Sequence, residues 1–171
     1  MKRILTMTIT AVLLTAPFAF AQQQQDQPPP CTDEAYRQFD FWVGEWTVTG
    51  LQGNLAGENS IRKILDDCVL EESWTGVSGT RGHSFNIWDA REKKWHQTWV
   101  DSSGTLLELD GDLVDGNMVL SGTRHTPDGN LATHRITWTP HEDESVRQHW
   151  EVSTDGGDNW RTLFDGRYER K

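Results

Sequence analysis

The chain has 171 residues, a quarter of them charged, with 16 basic against 26 acidic side chains and a formal net charge of −10. So acidic a surface argues against nucleic acid and anionic lipid as partners, because both require a positive face. Nine tryptophans are heavy usage for this length, and their placement is the most informative feature of the chain.

Lys2 and Arg3 precede an apolar run over residues 4–20 broken only by threonines and Pro17, and Ala19-Phe20-Ala21 supplies small residues where a signal peptidase reads. Residues 1–21 therefore read as a signal peptide cleaved after Ala21. The run is too short and too soon polar for a good membrane span, and nothing later is long or apolar enough to insert once the signal is removed. Residues 22–30, glutamines and prolines with one aspartate, cannot bury apolar surface and read as a disordered leader. Residues 31–171 then form one domain, long enough to bury about two-thirds of its surface. Loss of the signal takes two basic residues and no acid, leaving 14 basic against 26 acidic and a net charge of −12. The expected location is periplasmic or secreted.

Two cysteines remain, Cys31 and Cys68. In an oxidising compartment an even pair favours a disulfide, here tying the segment before the first strand to the early sheet. Pro28-Pro29-Pro30 occupies the place of a lipoprotein cleavage box, and the absence of C-x-x-C argues against a metal site.

Residues 32–38 can form a short helix, with Thr32 as N-cap and Asp33 and Glu34 in the first turn. Beyond it, turn signals recur at residues 50–54, 78–79, 89–93, 102–104, 115–116, 127–129, 140–144 and 155–157. The segments between them are rich in Trp, Val, Ile, Thr and Phe, a rhythm that predicts about ten short antiparallel strands joined by hairpins. So many strands in one domain have an edge problem that closure removes. The prediction is all-β, a single antiparallel up-and-down barrel, with a two-sheet sandwich as the competing solution.

Strand side chains alternate faces, so residues two apart share one. Leu70, Glu72 and Trp74 share a face; so do Ser84, Asn86 and Trp88; Trp95, Gln97 and Trp99; His134, Ile136 and Trp138; Val146, Gln148, Trp150 and Val152. An exposed row of indoles would be a large apolar patch, so these faces should point inward. The opposite face of the last group, Arg147, His149 and Glu151, is solvent-like; over residues 84–88 the competing face His83, Phe85 and Ile87 is also credible as core.

Within these faces a polar residue sits two positions before a tryptophan four times: Glu72–Trp74, Asn86–Trp88, Gln97–Trp99 and Gln148–Trp150. Burying such groups costs a few kcal/mol each unless they are hydrogen-bonded. The interior must therefore hold a satisfied network, water, or a polar ligand. Aromatic walls with a few convergent polar groups suit a small amphipathic ligand. The candidate ligand-binding residues are Glu72, Trp74, Asn86, Trp88, Gln97, Trp99, His134, Gln148 and Trp150. An inward Glu72 would have its pKa raised by burial, making it the one weak candidate for a catalytic acid.

Of six histidines only His134 clearly faces inward by parity, and none forms a short metal box. No nucleophile motif and no phosphate-cradling glycine loop is present. Residues 153–160 match the Asp-box pattern S-x-D-x-G-x-x-W once, which reads as a hairpin turn braced by Asp155 with Trp160 packed beneath.

Gly44-Glu45-Trp46, after a short N-terminal helix, resembles the G-x-W of lipocalins and related calycins. That resemblance implies a tryptophan plugging the closed end of a barrel under a late arginine, here Arg167 or Arg170. Over nearly the whole mature chain, residues 39–46 (FDFWVGEW), 68–74 (CVLEESW), 95–101 (WHQTWVD) and 164–170 (FDGRYER) are similar to a family of small bacterial proteins classed as a domain of unknown function. The likeness implies a lipocalin-like barrel, often exported, and no activity. The reading is an exported barrel that binds a small, partly apolar ligand and requires no cofactor. The alternatives are a calycin-like enzyme using Glu72 as acid or base, and a structural or protein-interaction domain.

Overall fold

The computed structural model describes residues 30–171; the signal-peptide reading and, up to residue 29, the leader reading fall outside them. Ten strands succeed one another: β1 (Gly44–Gly50), β2 (Leu55–Ile64), β3 (Val69–Gly76), β4 (Arg81–Asp89), β5 (Lys94–Asp101), β6 (Leu106–Val114), β7 (Asn117–His125), β8 (Leu131–Pro140), β9 (Val146–Ser153) and β10 (Arg161–Arg170). Each pairs antiparallel with the next, and β10 returns to β1 over residues 166–170, so the sheet closes into an up-and-down barrel without a free edge. The lipocalin-like expectation holds, and the sandwich is excluded.

Eight of the hairpins fall on the turn signals read from glycine, proline and aspartate. The ninth, between β2 and β3, has neither glycine nor proline. Leu65, Asp66 and Asp67 all take a left-handed backbone there, with φ of 52°, 55° and 66°. L-residues visit that region at a cost, which aspartate bears better than most. The turn is held from outside. Cys68, next in sequence, is bonded to Cys31, while the Arg37 guanidinium donates to the carbonyls of Cys31 (2.6 Å) and Asp67 (3.2 Å).

The N-terminal segment departs from the single helix predicted over 32–38. It makes two 3₁₀ turns, Glu34–Arg37 and Asp40–Trp42, and the N-cap residue of the first is Asp33 rather than Thr32. A tight turn serves better than a longer helix because Phe39 and Trp42 must both dive into the barrel end, where each is fully buried. Phe39 stacks on Trp42 at 5.0 Å and meets the edges of Trp95 (5.6 Å) and Trp138 (5.1 Å). Trp46 lies beside them, its Nε1 donating to the Trp42 carbonyl at 2.9 Å, and Arg170 covers its ring at 4.5 Å. Gly44 has φ +150°, and a Cβ there would meet Arg170 Nη1 at 2.5 Å. The G-x-W segment thus forms the closed end as the resemblance implied, with Arg170 rather than Arg167 over the indole. Arg167 pairs with Asp143 and Glu169 at the surface.

The disulfide closes a sequence separation of 37 residues and pins this plug to the β2–β3 corner. Replacing both cysteines with serine is expected to lower the unfolding free energy by about 3–4 kcal/mol, from loop-closure entropy. Urea denaturation of the oxidised protein and the double variant measures it; a difference below about 1 kcal/mol would mean that the plug holds itself in place.

Candidate functional site

Alternation places the tryptophan faces inward in every strand where they were read. On β4, Gly82, Ser84 and Asn86 are buried while His83, Phe85 and Ile87 are exposed, which decides the one ambiguous strand. His134 is the inward histidine, 8% exposed. The outer face of β9 is less solvent-like than its composition suggested. Glu151 and His149 are partly covered there, within a lattice formed by Arg135–Glu151 (3.0 Å) and Arg147–Asp165 (2.5 Å).

Parity says which wall a residue faces; strand direction says at which end it sits. Odd-numbered strands run from the plugged end toward the open end, and even-numbered strands run back. A tryptophan late in β3, β5 or β9 therefore reaches the open end, which is where Trp74, Trp99 and Trp150 stand. A tryptophan late in β4 or β8 reaches the plug: Trp88 lies opposite Trp95, and Trp138 packs on Phe39. Of the four polar–tryptophan pairs, the Asn86–Trp88 pair is thus inverted relative to the others.

The open end holds a cavity of about 210 Å³ lined by Trp74, Trp99, Trp150, Phe164, Leu107, Leu163 and Ile136, with Glu72, Gln97, Gln148 and Tyr168 supplying the polar groups. Six of the nine candidates line it. Asn86 lies behind Gln97 as its hydrogen-bond partner, and Trp88 lies at the plug. His134 positions a wall, its Nδ1 accepting from Trp150 Nε1 at 3.1 Å.

Three inward glycines make this space. A Cβ on Gly57 would meet the Trp74 ring at 2.7 Å, one on Gly166 would meet Phe164 at 2.5 Å, and one on Gly82 would overlap the Trp99 indole. Trp74 and Trp99 therefore each lie over a glycine on the neighbouring strand, and Phe164 over the glycine two residues on in its own strand, against the wall instead of across the lumen. That leaves the centre open.

The polar groups form one connected system. Glu72 is 4% exposed; its Oε1 accepts from Asn59 Nδ2 at 2.7 Å and its Oε2 from Ser84 Oγ at 2.6 Å. Ser84 Oγ in turn accepts from Asn86 Nδ2 (2.9 Å), and Asn86 Oδ1 from Gln97 Nε2 (2.8 Å). On the other side Asn59 Nδ2 reaches Tyr168 Oη at 3.3 Å, and the Tyr168 hydroxyl donates to Gln148 Oε1. Burial pushes the Glu72 carboxyl up to about 7, against the opposing pull of Ser84 and Asn59. It also drives the Tyr168 phenol well above its ordinary range, with the charge of Glu72 adding to the effect. Burial, helped by Arg124, holds His134 below the usual histidine value, favouring the neutral ring.

Asn59, Ser84, Tyr168 and Phe164 were not among the residues selected from sequence. Asn59 and Ser84 lacked a tryptophan two positions on, the signal that marked the others. The faces of β10 were legible: Phe164, Gly166 and Tyr168 alternate with charged or exposed residues. The Asp-box segment is a braced turn, with Asp155 accepting from the Asn159 backbone (2.9 Å) and side chain (2.8 Å), and Trp160 sitting under the Arg135 guanidinium at 3.9 Å. No cluster of three or more metal-ligating side chains occurs among the described residues. Compared with known proteins, the chain matches no family model and no curated sequence.

The buried carboxyl has a thermodynamic consequence. An unfolded glutamate ionises near 4.5 and the folded Glu72 near 7, so between these values the fold keeps a proton that the unfolded chain has lost. Stability contributed by the protonated form falls as pH rises across that window and is gone above it. Relative to Glu72→Gln, the wild type is expected to lose about 3 kcal/mol of unfolding free energy between about pH 4 and pH 8. Chemical denaturation of both proteins across the range reads the difference, and a flat one would show that Glu72 is solvated.

Proposed function

We propose that this protein is an exported binding protein that takes a small, partly apolar ligand into the open end of its barrel. The observation that carries the reading is the unfilled space beside Glu72, Gln97 and Gln148, walled by three tryptophans and Phe164. An apolar cavity of about 150 Å³ suffices for benzene; one of about 210 Å³ suits a single ring with a short polar substituent. The aromatic walls supply contact area, and the polar groups on one side supply orientation. Export is supported by the Cys31–Cys68 disulfide, which persists in oxidising compartments; no helix among the described residues is long and apolar enough to cross a membrane. Membership of the exported bacterial family that the FDFWVGEW segment resembles is part of the same proposal.

A second reading is favoured by one feature, the pKa of about 7 at Glu72, which suits a general acid or base at neutral pH. Both Glu72 oxygens, however, already accept from Asn59 and Ser84, as those of a structural anchor would. Binding therefore stands first.

The test uses p-cresol, a ring with one polar group. Three tryptophans in the wall make intrinsic fluorescence a direct reporter, and a saturable change on titration is expected. Leu107→Trp, which fills the cavity from β6, is expected to abolish that change at an overpacking cost of about 1–3 kcal/mol. An unchanged response in the variant would place the binding elsewhere.

A further inference from the structure

We propose that the ligand is a small organic cation, an aryl- or alkylammonium, held with its charged group against Glu72 and the Gln97 carbonyl and its apolar part between Trp74, Trp99 and Trp150. The inference rests on the ligand-binding reading and adds the chemical class.

The direction of the hydrogen bonds carries it. Gln97 Nε2 donates to Asn86 Oδ1, Asn86 Nδ2 to Ser84 Oγ, and Ser84 Oγ to Glu72 Oε2. Asn59 Nδ2 donates to the other carboxylate oxygen. Two chains of donors thus converge on the two Glu72 oxygens, an arrangement that stabilises a carboxylate far more than a neutral acid; Asn86 Nδ2 also donates to the Leu70 carbonyl at 3.2 Å, and the Tyr168 hydroxyl donates away, to Gln148. At the far end of the relay the Gln97 amide has committed its nitrogen to Asn86, so its carbonyl oxygen is the end left for the cavity that Gln97 lines. Both ends of the relay present acceptors. A ligand that meets them must donate.

No cationic side chain among the described residues contributes to the environment of Glu72, whose influences are burial, Ser84 and Asn59. Glu72 takes part in none of the ion pairs among the described residues, whereas its outward neighbour Glu71 is paired with Arg62 at 2.6 Å. The inward groups that face Glu72 are Asn59 and Ile61 from β2, Ser84 and Asn86 from β4, Gln97 from β5, Gln148 from β9 and Tyr168 from β10. Tyr168 is the one titratable group among them, and it stays protonated. His134 on β8 uses Nδ1 to accept from Trp150 and is kept neutral by burial, with the charge of Arg124 adding to the effect; Arg124 on β7, exposed, and Asp101 on β5, which accepts from Trp99 Nε1, share the inward parity nearer the mouth. The wall facing this lone carboxyl is indole, whose ring face attracts cations and does so more strongly when desolvated. The chain's net negative charge, −10 with residues 1–21 and −12 without them, draws cations toward the protein. With Gln97 Nε2 committed to Asn86 and Gln148 Oε1 accepting from Tyr168, Gln148 Nε2 is the amide donor left to face a neutral acceptor on the ligand.

The experiment is calorimetric titration with three molecules of one shape and different charge: 2-phenylethylammonium, 2-phenylethanol and phenylacetate. An alkylammonium stays protonated to about pH 10, so its own charge is constant over the range used. Near pH 8 the ammonium is expected to bind at least about tenfold more tightly than the alcohol. Its affinity is expected to fall about tenfold per pH unit below 7, as Glu72 takes up the proton that the cation must displace. The alcohol is expected to show no such slope. Glu72→Gln is expected to remove the ammonium's advantage while leaving alcohol binding in place; if that variant does not fold, the wild-type pH profile decides alone. Equal binding of ammonium and alcohol, or tightest binding of phenylacetate at acid pH, overturns the cation and leaves the ligand reading standing. Binding of none of the three overturns both.

Discussion

A barrel that closes on itself has no edge, and every inward side chain of all ten strands must then share one enclosed volume. That constraint orders the rest. It forbids an inward polar group from reaching bulk water by bending outward, so each finds a partner inside, faces the open end or stays unsatisfied at a cost. It also turns strand direction into position along the barrel axis. Tryptophans at similar places in successive strands are sorted to opposite ends by direction alone. Trp42, Trp46, Trp95 and Trp138 gather at one end and are fully or almost fully buried there; Trp74, Trp99 and Trp150 stand half-buried at the other.

The two ends solve the packing problem differently. At the plug, aromatic rings fill the lumen and leave two indole N–H groups, those of Trp42 and Trp138, buried without partners. Each costs on the order of 1–3 kcal/mol. Such a penalty is tolerable only where the surrounding ring contacts are dense, as they are around Phe39. At the open end the glycines beneath Trp74, Trp99 and Phe164 draw the rings back against the walls, and the lumen stays free. Between the two lies a belt of Asn59, Glu72, Ser84, Asn86, Gln97 and Tyr168. A belt of leucine and isoleucine would avoid the desolvation of these groups, and one belt atom, Asn59 Oδ1, is buried without a partner. Its retention is better accounted for by what it presents to the cavity.

Most of the fold could be read from the chain because its cues are local. Glycine, proline and aspartate marked eight of nine hairpins, and the period of two fixed the faces. The β2–β3 turn escaped although Asp66 and Asp67 are turn-forming residues, because no glycine or proline accompanies them; its left-handed backbone is held by a disulfide and by Arg37, contacts distant in sequence. The site was half legible for a related reason. Glu72, Gln97 and Gln148 announced themselves by standing two residues before a tryptophan, but the same pattern gave Asn86 and Trp88, which strand direction turns away from the cavity. Tyr168 and Asn59 contribute through pairings more than a hundred residues apart in the chain, and local pattern carries no such information. The glycines were passed over because a strand glycine looks like a weakness until the ring lying on it is seen.

One physical difference separates a polar core that merely tolerates its burial from one built to receive a partner: the direction of its donors. In a self-sufficient network, donors and acceptors balance, and the net dipole has nowhere in particular to point. Here two separate routes, one through Asn59 and one through Gln97, Asn86 and Ser84, both end on the same carboxyl. The carboxyl is thereby prepared for negative charge, yet burial pushes its pKa up to about 7. The two influences conflict in the free protein, and an ammonium group in the adjoining space would remove the conflict. Binding would then draw part of its energy from a strain already built into the walls, so a small ligand need not bury much surface to be held.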